Sequence, residues 1–245
     1  MTHPLDNAGR TVLVVGGSSG IGNGIAQAFR RTGATVHVTG TRPSAAAYAE
    51  AEGSDLEGLH YSPLDVAQPG AVQAWTPDIA ALHVLVLCQG TVLYKKGEFD
   101  PAGFRRVVEV NLNSLMDCAL KFQPHLKASQ GALITVSSTA AFHATRGNPA
   151  YNASKAGAVG LTRTLGQAWA GEGIRVNGIA PGLVDTKLTK VTTQHPERLK
   201  ASLANIPAGR LGTPADMAGV ALFLASPLAA YIYGQTIPVD GGLIL

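Results

Sequence analysis

The stretch TVLVVGGSSGIGNG, residues 11–24, decides the fold. Its first five residues are apolar or β-branched without alternation, which suits a strand covered on both faces. Gly16, Gly20 and Gly22 follow in a G-x-x-x-G-x-G pattern that opens a helical run. Residues without a Cβ permit a tight turn, let an anionic group approach the backbone and leave helix N-terminal N–H groups pointing at it. A glycine cluster also occurs in plain strand-to-helix turns. Its place after the first strand of a βαβ unit points instead to a dinucleotide pyrophosphate, with Ser18, Ser19 and Ile21 in the same segment.

Outward from that turn, strand-like runs alternate with helical ones. The strands read are 11–17, 35–40, 59–65, 83–90, 132–138, 174–182 and 234–242, and the helices are 20–32, 69–80, 101–127, 150–171 and 214–225. Parallel neighbours need crossover connections, so this order predicts an α/β fold: a single-domain, Rossmann-like, doubly wound parallel sheet of about seven strands with helices on both faces. Residues 1–245 form one domain, with 1–9 expected to be a flexible terminus. The segment 183–213 lacks strand character and suits a mobile lid over a substrate.

Composition narrows the classes. A 46% hydrophobic and 14% charged chain implies a large core and buried subunit faces. No apolar run is long enough for a membrane span, and residues 1–10 do not read as a signal peptide, so a cytoplasmic protein is expected. A net charge of +3 with scattered Lys and Arg argues against nucleic acid. Cys88 and Cys118 lie in apolar runs and read as buried thiols, and the seven histidines show no ligand spacing, so no metal is expected.

The end of the second strand bears on the cofactor. A dinucleotide fold that takes NAD usually places an acid there for the ribose 2′-hydroxyl. This chain has Gly40, then Thr41 and Arg42. A hydroxyl and a guanidinium suit a 2′-phosphate, so NADP(H) is favoured over NAD(H); the alternative is an arginine that merely faces water. Residues 16–20 also spell G-x-S-x-G around Ser18, the pattern of a hydrolase nucleophile elbow. The first-strand position and the lack of an oxyanion segment or triad partners count against a serine hydrolase.

In PAYNASKAG, residues 149–157, Tyr151 and Lys155 stand four apart and share a helix face. A tyrosine ordinarily ionises near pH 10, so a proton shuttle at ambient pH needs about 4 kcal/mol of help for the phenolate. A close ammonium and a positively charged nicotinamide ring are expected to supply it. The fifth strand ends in Ser137 and Ser138, where open parallel sheets place ligands, although a serine there is commonly a cap or turn residue.

These motifs together identify the chain as resembling the short-chain dehydrogenase/reductase family over nearly its whole length. The glycine segment, Asp65-Val66 after the third strand, Asn111 in VEVNLNS, Ser138, and the Y-x-x-x-K of Tyr151 and Lys155 each match the family's pattern. So do Gly90, the segment with Pro181, Gly182, Val184 and Thr186, and the ending GQTIPVDGG. The resemblance implies that Tyr151 is the general acid in ketone reduction and the base in alcohol oxidation. By the same resemblance Ser138 bonds the substrate oxygen, Lys155 holds the nicotinamide ribose and lowers the tyrosine pKa, and Asn111 supports a proton relay. Asp65 is implied as an adenine contact, an N-cap being the alternative, and the flanks of the nicotinamide fall to residues 181–186. A homotetramer is implied too.

Two positions depart from the family. Val15 stands where a threonine is usual, and Leu87-Cys88-Gln89-Gly90 replaces NNAG. An apolar Val15/Cys88 contact is expected in place of the lost hydrogen bond. The crossover 66–82 also looks short. Phe142 and His143 are candidate substrate contacts, with Arg146, Val92–Tyr94 and the lid as further lining. The stretch IPAGRLGTPADMAGVALFLAS, residues 206–226, resembles that of the 3-oxoacyl-[acyl-carrier-protein] reductases, but the basic docking positions of those enzymes are Ser129 and Glu172 here. A small ketone or secondary alcohol is therefore the first expectation, carrier-protein reduction the second, and a catalytically silent nucleotide-binding regulator a third.

Overall fold

The computed structural model describes residues 3–48 and 53–245. Among them seven strands form one parallel sheet: β1 (Thr11–Val15), β2 (Thr35–Gly40), β3 (His60–Pro63), β4 (Val84–Leu87), β5 (Ala132–Val136), β6 (Arg175–Pro181) and β7 (Thr236–Val239). Their spatial order is β3-β2-β1-β4-β5-β6-β7, and every pairing is parallel. The order reverses between β1 and β4, which opens a crevice at the carboxyl ends of those strands.

Period-two alternation within β1 divides the core. Val12 and Val14 pack under α1 (Gly20–Arg31), together with Ile25 and Phe29. Leu13 and Val15 face the opposite layer, with Leu115, Phe122, Leu165 and Trp169. All four strand residues are fully buried, so β1 has no wet face and its pattern is continuous rather than alternating.

The helix expected over 69–80 is one turn, α2 (Ala71–Ala74), because Pro77 cannot continue it and Trp75 is already extended. The single helix expected over 101–127 is divided. α3 (Pro101–Val108) starts on Asp100, whose carboxylate accepts the N–H groups of Ala102 and Gly103 at 3.0 Å each. A π-helical turn over Glu109–Asn113 then shifts the register before α4 (Ser114–Ser129). α5 (Pro149–Trp169) begins on a proline, as helices favour. The presumed lid holds two short helices, α6 (Lys190–Thr193) and α7 (Pro196–Ala204), and its ends are tied by a Val184–Gly212 bridge.

α8 (Pro214–Ala225) lies against α1 with core residues Met217, Ala221 and Leu224. Two guanidiniums gather its last carbonyls. Arg175 on β6 donates to Leu224 at 2.5 Å and Ala225 at 3.1 Å, and Arg10 donates to Ala225 at 3.2 Å. They satisfy the free acceptors and complement the helix dipole. Arg175→Met is expected to cost about 2 kcal/mol of stability, read as a lowered urea midpoint with an unchanged slope. At the other end of the chain, residues 3–9 are placed: Asn7 is buried and its amide donates to the Thr32 hydroxyl at 3.0 Å. Residues 1–2 of the segment read as flexible lie outside the described residues.

Candidate active site

A cleft of about 390 Å³ runs along the carboxyl ends of β1, β2, β4, β5 and β6. The glycine turn forms its floor. Gly16 has a left-handed φ of 78°, and a Cβ there would lie 2.8 Å from the backbone of Gln89. A Cβ on Gly22 would lie 2.3 Å from the Gly16 carbonyl oxygen. The Thr39 hydroxyl accepts the Gly16 N–H at 3.1 Å and fixes the turn from β2. Ser19, at the N-cap of α1, makes no capping bond through its side chain, and no acid occupies the helix's first turn. An anion can therefore reach the helix N–H groups without displacing a carboxylate, which fits a pyrophosphate.

Ser18, Ser19, Ile21, Thr41, Asp65, Val66 and Gly90 border the same cleft. So do Pro181, Gly182, Val184 and Thr186. Thr186 faces the glycine turn, for a Cβ on Gly20 would meet its methyl at 3.4 Å. Asp65 does not cap the next helix, whose N-cap is Gly70; its carboxylate accepts Ala67 N–H at 3.0 Å within the turn before it. Cys88 N–H donates to Val15 O at 2.9 Å, and burial pushes the Cys88 thiol up to about 12, in keeping with an apolar contact at this strand end.

The 2′ end holds a residue that sequence reasoning missed. The Tyr48 hydroxyl accepts the backbone N–H of Arg42 at 3.3 Å and sits where a side chain on Gly40 would project, 2.3 Å from such a Cβ. Its ring stacks on the Arg42 guanidinium at 4.8 Å, while that guanidinium donates to Ala47 O. Burial raises the Tyr48 pKa, but hydrogen bonding with Ser18, Tyr61, the Arg42 backbone and Thr41 outweighs it and lowers the value overall. An acid at position 40 has no room here. Arg42 itself is turned toward Tyr48 rather than lining the cleft.

At the other end, α5 carries the tyrosine and lysine on one face, as their spacing requires. The Ser138 hydroxyl accepts Ala140 N–H at 3.1 Å as a turn cap, and it lies close enough to the Tyr151 phenol to lower its pKa. Lys155 is 4% exposed, its Nζ donates to Val136 O at 2.9 Å, and it stands 5.7 Å from the centre of the Tyr151 ring. Ser137 donates to Lys155 O at 2.8 Å and pins the helix to β5.

The electrostatics of the protein alone show how much is left for a bound nicotinamide to supply. Burial raises the Tyr151 pKa; the Ser138 hydrogen bond lowers it, while Tyr94, Cys88 and Glu98 push it further up. Burial also holds Lys155 down at about 8, with Cys88 acting in the opposite sense. In the protein alone the lysine does not bring the phenol below its ordinary range, because desolvation outweighs it.

Asn111 lies in the π-helical turn and is fully buried. Its oxygen accepts Thr91 N–H at 2.7 Å, and its amide donates to Thr91 O at 2.9 Å and the Ser154 hydroxyl at 3.2 Å. It thus clamps the loop after β4 to α5 and touches neither Tyr151 nor Lys155. Phe142 and His143 do not line the cleft: Phe142 is 44% exposed, and the His143 ring contacts the neighbouring Ala144 carbonyl. Tyr94 reaches across to donate to Leu188 O at 2.7 Å, joining the loop after β4 to the segment after β6. Among the described residues no helix is long and apolar enough to cross a membrane.

Comparison with known proteins agrees with this geometry. A family model described as Enoyl-(Acyl carrier protein) reductase matches residues 15–244. The chain is 34% identical to the 3-oxoacyl-[acyl-carrier-protein] reductase FabG of Chlamydia muridarum, covering 96% of this chain and 97% of that one. It is 35% identical to 2-dehydro-3-deoxy-D-gluconate 5-dehydrogenase of Bacillus subtilis, covering 96% and 94%. The Pseudomonas aeruginosa RhlG/NADP active-site complex superposes with a TM-score of 0.89 at 34% identity, covering the whole of both chains.

Proposed function

The chain belongs to the short-chain dehydrogenase/reductase family, and from that premise we propose that it moves a hydride between NADP(H) and a small ketone or secondary alcohol. It is an NAD(P)-dependent oxidoreductase acting on CH–OH and C=O groups. The observation that carries the proposal is that Ser138, Tyr151 and Lys155 line one cleft with the glycine turn at the strand ends. When bound, the nicotinamide supplies or accepts the hydride. The protein's own groups do the rest. Ser138 and Tyr151 hold the substrate oxygen, and Tyr151 gives it a proton in reduction and takes one in oxidation. Lys155 holds the nicotinamide ribose and favours the phenolate as positive charge is added to the site. Asn111 fixes the loop backbone on the path from Lys155 toward water.

The choice of NADP(H) rests on the 2′ end. Tyr48 fills the place of an acid, Thr41 offers a hydroxyl to a phosphate, and the Arg42 guanidinium, held beside Tyr48, turns from that ring to pair with it when the nucleotide binds. Arg42→Ala is expected to raise the NADPH dissociation constant about tenfold or more while moving that of NADH about twofold, measured by fluorescence titration. Equal losses would overturn the assignment. A panel of ketones and secondary alcohols assayed with both cofactors at the reduced-nicotinamide absorbance tests the whole reading; no turnover on any of them, with nucleotide still bound, would favour a silent regulator.

The likeness to FabG supports a second reading, reduction of a 3-oxoacyl group on a carrier protein. Against it, Glu172 at the end of the catalytic helix is an acid, bonded to Lys127 at 3.3 Å and to Gln123, and Ser129 is turned onto Leu82 O. An acidic carrier finds little positive charge at those two positions. A homotetramer belongs to the same proposal, and light scattering of the full chain tests it.

A further inference from the structure

Glu98 is 1% exposed, and nothing in the reaction above uses it. The backbone is bent to bring it inside. Lys95 and Lys96 both take left-handed conformations, φ 57° and 62°, which residues with a Cβ adopt reluctantly. The turn is then seated on α3, where a Cβ on Gly103 would lie 2.0 Å from the Gly97 carbonyl oxygen. Inside, the carboxylate accepts three N–H groups. Leu93 N–H at 3.1 Å and the Asn148 amide at 3.3 Å reach Oε1, and Tyr151 N–H reaches Oε2 at 2.9 Å. Those donors belong to the loop after β4, the segment before α5, and α5 itself. Asn148, at the N-cap of α5, makes no capping bond through its own side chain. Glu98 makes it from another part of the chain.

We propose that Glu98 is a positioning residue of this active site: it caps the catalytic helix from outside and holds a fixed negative charge against the Tyr151 phenol. The inference rests on the Tyr151 reading and adds a residue to it. The groups facing the phenol are Lys155 on α5, Ser138 at the end of β5, Cys88 at the end of β4, and Tyr94 and Glu98 on the following loop. With the Cys88 thiol protonated, Lys155 and Glu98 are the two of these groups that bring charge. Glu98 opposes Lys155, which keeps the tyrosine protonated at neutral pH and suits it to donate to a carbonyl.

The test compares Glu98→Gln and Glu98→Asp in the full chain, oxidising ethyl 3-hydroxybutyrate with NADP+. Glu98→Gln removes the charge, so the acidic limb of kcat/KM moves to lower pH by about one unit, kcat falls about tenfold and the KM for NADP+ stays the same. Glu98→Asp keeps the charge but shortens the arm, so kcat falls while the limb stays. An unmoved limb in Glu98→Gln, an equal shift in both variants, or wild-type kcat in both overturns the proposal. Amide hydrogen exchange over residues 149–155 needs no turnover; it quickens about tenfold in Glu98→Gln, and unchanged exchange overturns the capping role. Full activity in Tyr151→Phe would instead sink the Tyr151 reading and leave the exchange result standing.

Discussion

Tyr151→Phe is expected to lower kcat about 10³–10⁴-fold while leaving NADPH affinity within about twofold. The substitution removes one oxygen from a ring that stays packed between Ser138, Tyr94 and Lys155. The fold and the nucleotide end of the cleft are untouched, so the loss falls on the chemical step. Stopped-flow single turnovers with NADPH separate the two effects. A residual rate within tenfold of wild type would mean that another group, or solvent, passes the proton.

Lys155→Met is expected to show a split between stability and activity. The folded-state pKa of Lys155, about 8, lies below the ordinary 10.5. The unfolded chain therefore binds more protons between those values, and stability rises as pH climbs from about 8 to about 10.5. Below about 8 the ammonium is charged in both states and the full cost of burying it is felt, on the order of 3 kcal/mol. Methionine fills a similar volume without charge but leaves Val136 O without its donor, which returns about 1–2 kcal/mol of that gain. The net expectation is a variant more stable at pH 7 by about 1–2 kcal/mol, a rise of a few degrees in melting temperature, with the gain fading toward pH 10.5. Activity should fall about 10²–10³-fold, and the acidic limb of alcohol oxidation should move to higher pH because the phenolate has lost its cation. A melting temperature lower at pH 7 than the wild type's would contradict the burial cost.

Much of this was legible in the sequence, and what was not has physical reasons. The central strands β1, β4 and β5 are visible because a parallel strand buried on both faces is a short unbroken apolar run, as in VLVL at 84–87. The glycine turn is visible because close backbone approach leaves no other residue type. The break at 109–113 is not, since EVNLN has ordinary helix-compatible residues and only the need to bury Asn111 reveals the register shift. The short helices α6 and α7 lack a strong apolar stripe. Tyr48 and Glu98 act across the fold on partners that no local spacing connects. The upward pull on Tyr151 in the protein alone was not legible for a related reason: a four-residue spacing gives the distance to a cation but not the extent of desolvation. Phe142 and His143 follow the strand that carries Ser138, yet the turn capped by that serine leads them away from the cleft.

The account depends on a phenol exchanging its proton with the substrate oxygen as hydride moves. The most direct measurement is the pH dependence of kcat/KM for oxidation of a secondary alcohol by wild type and Tyr151→Phe, side by side with NADP+. The prediction is a single acidic limb in the wild type, and in the variant a small residual rate without that limb. A variant that keeps the same limb and a rate close to wild type would contradict it.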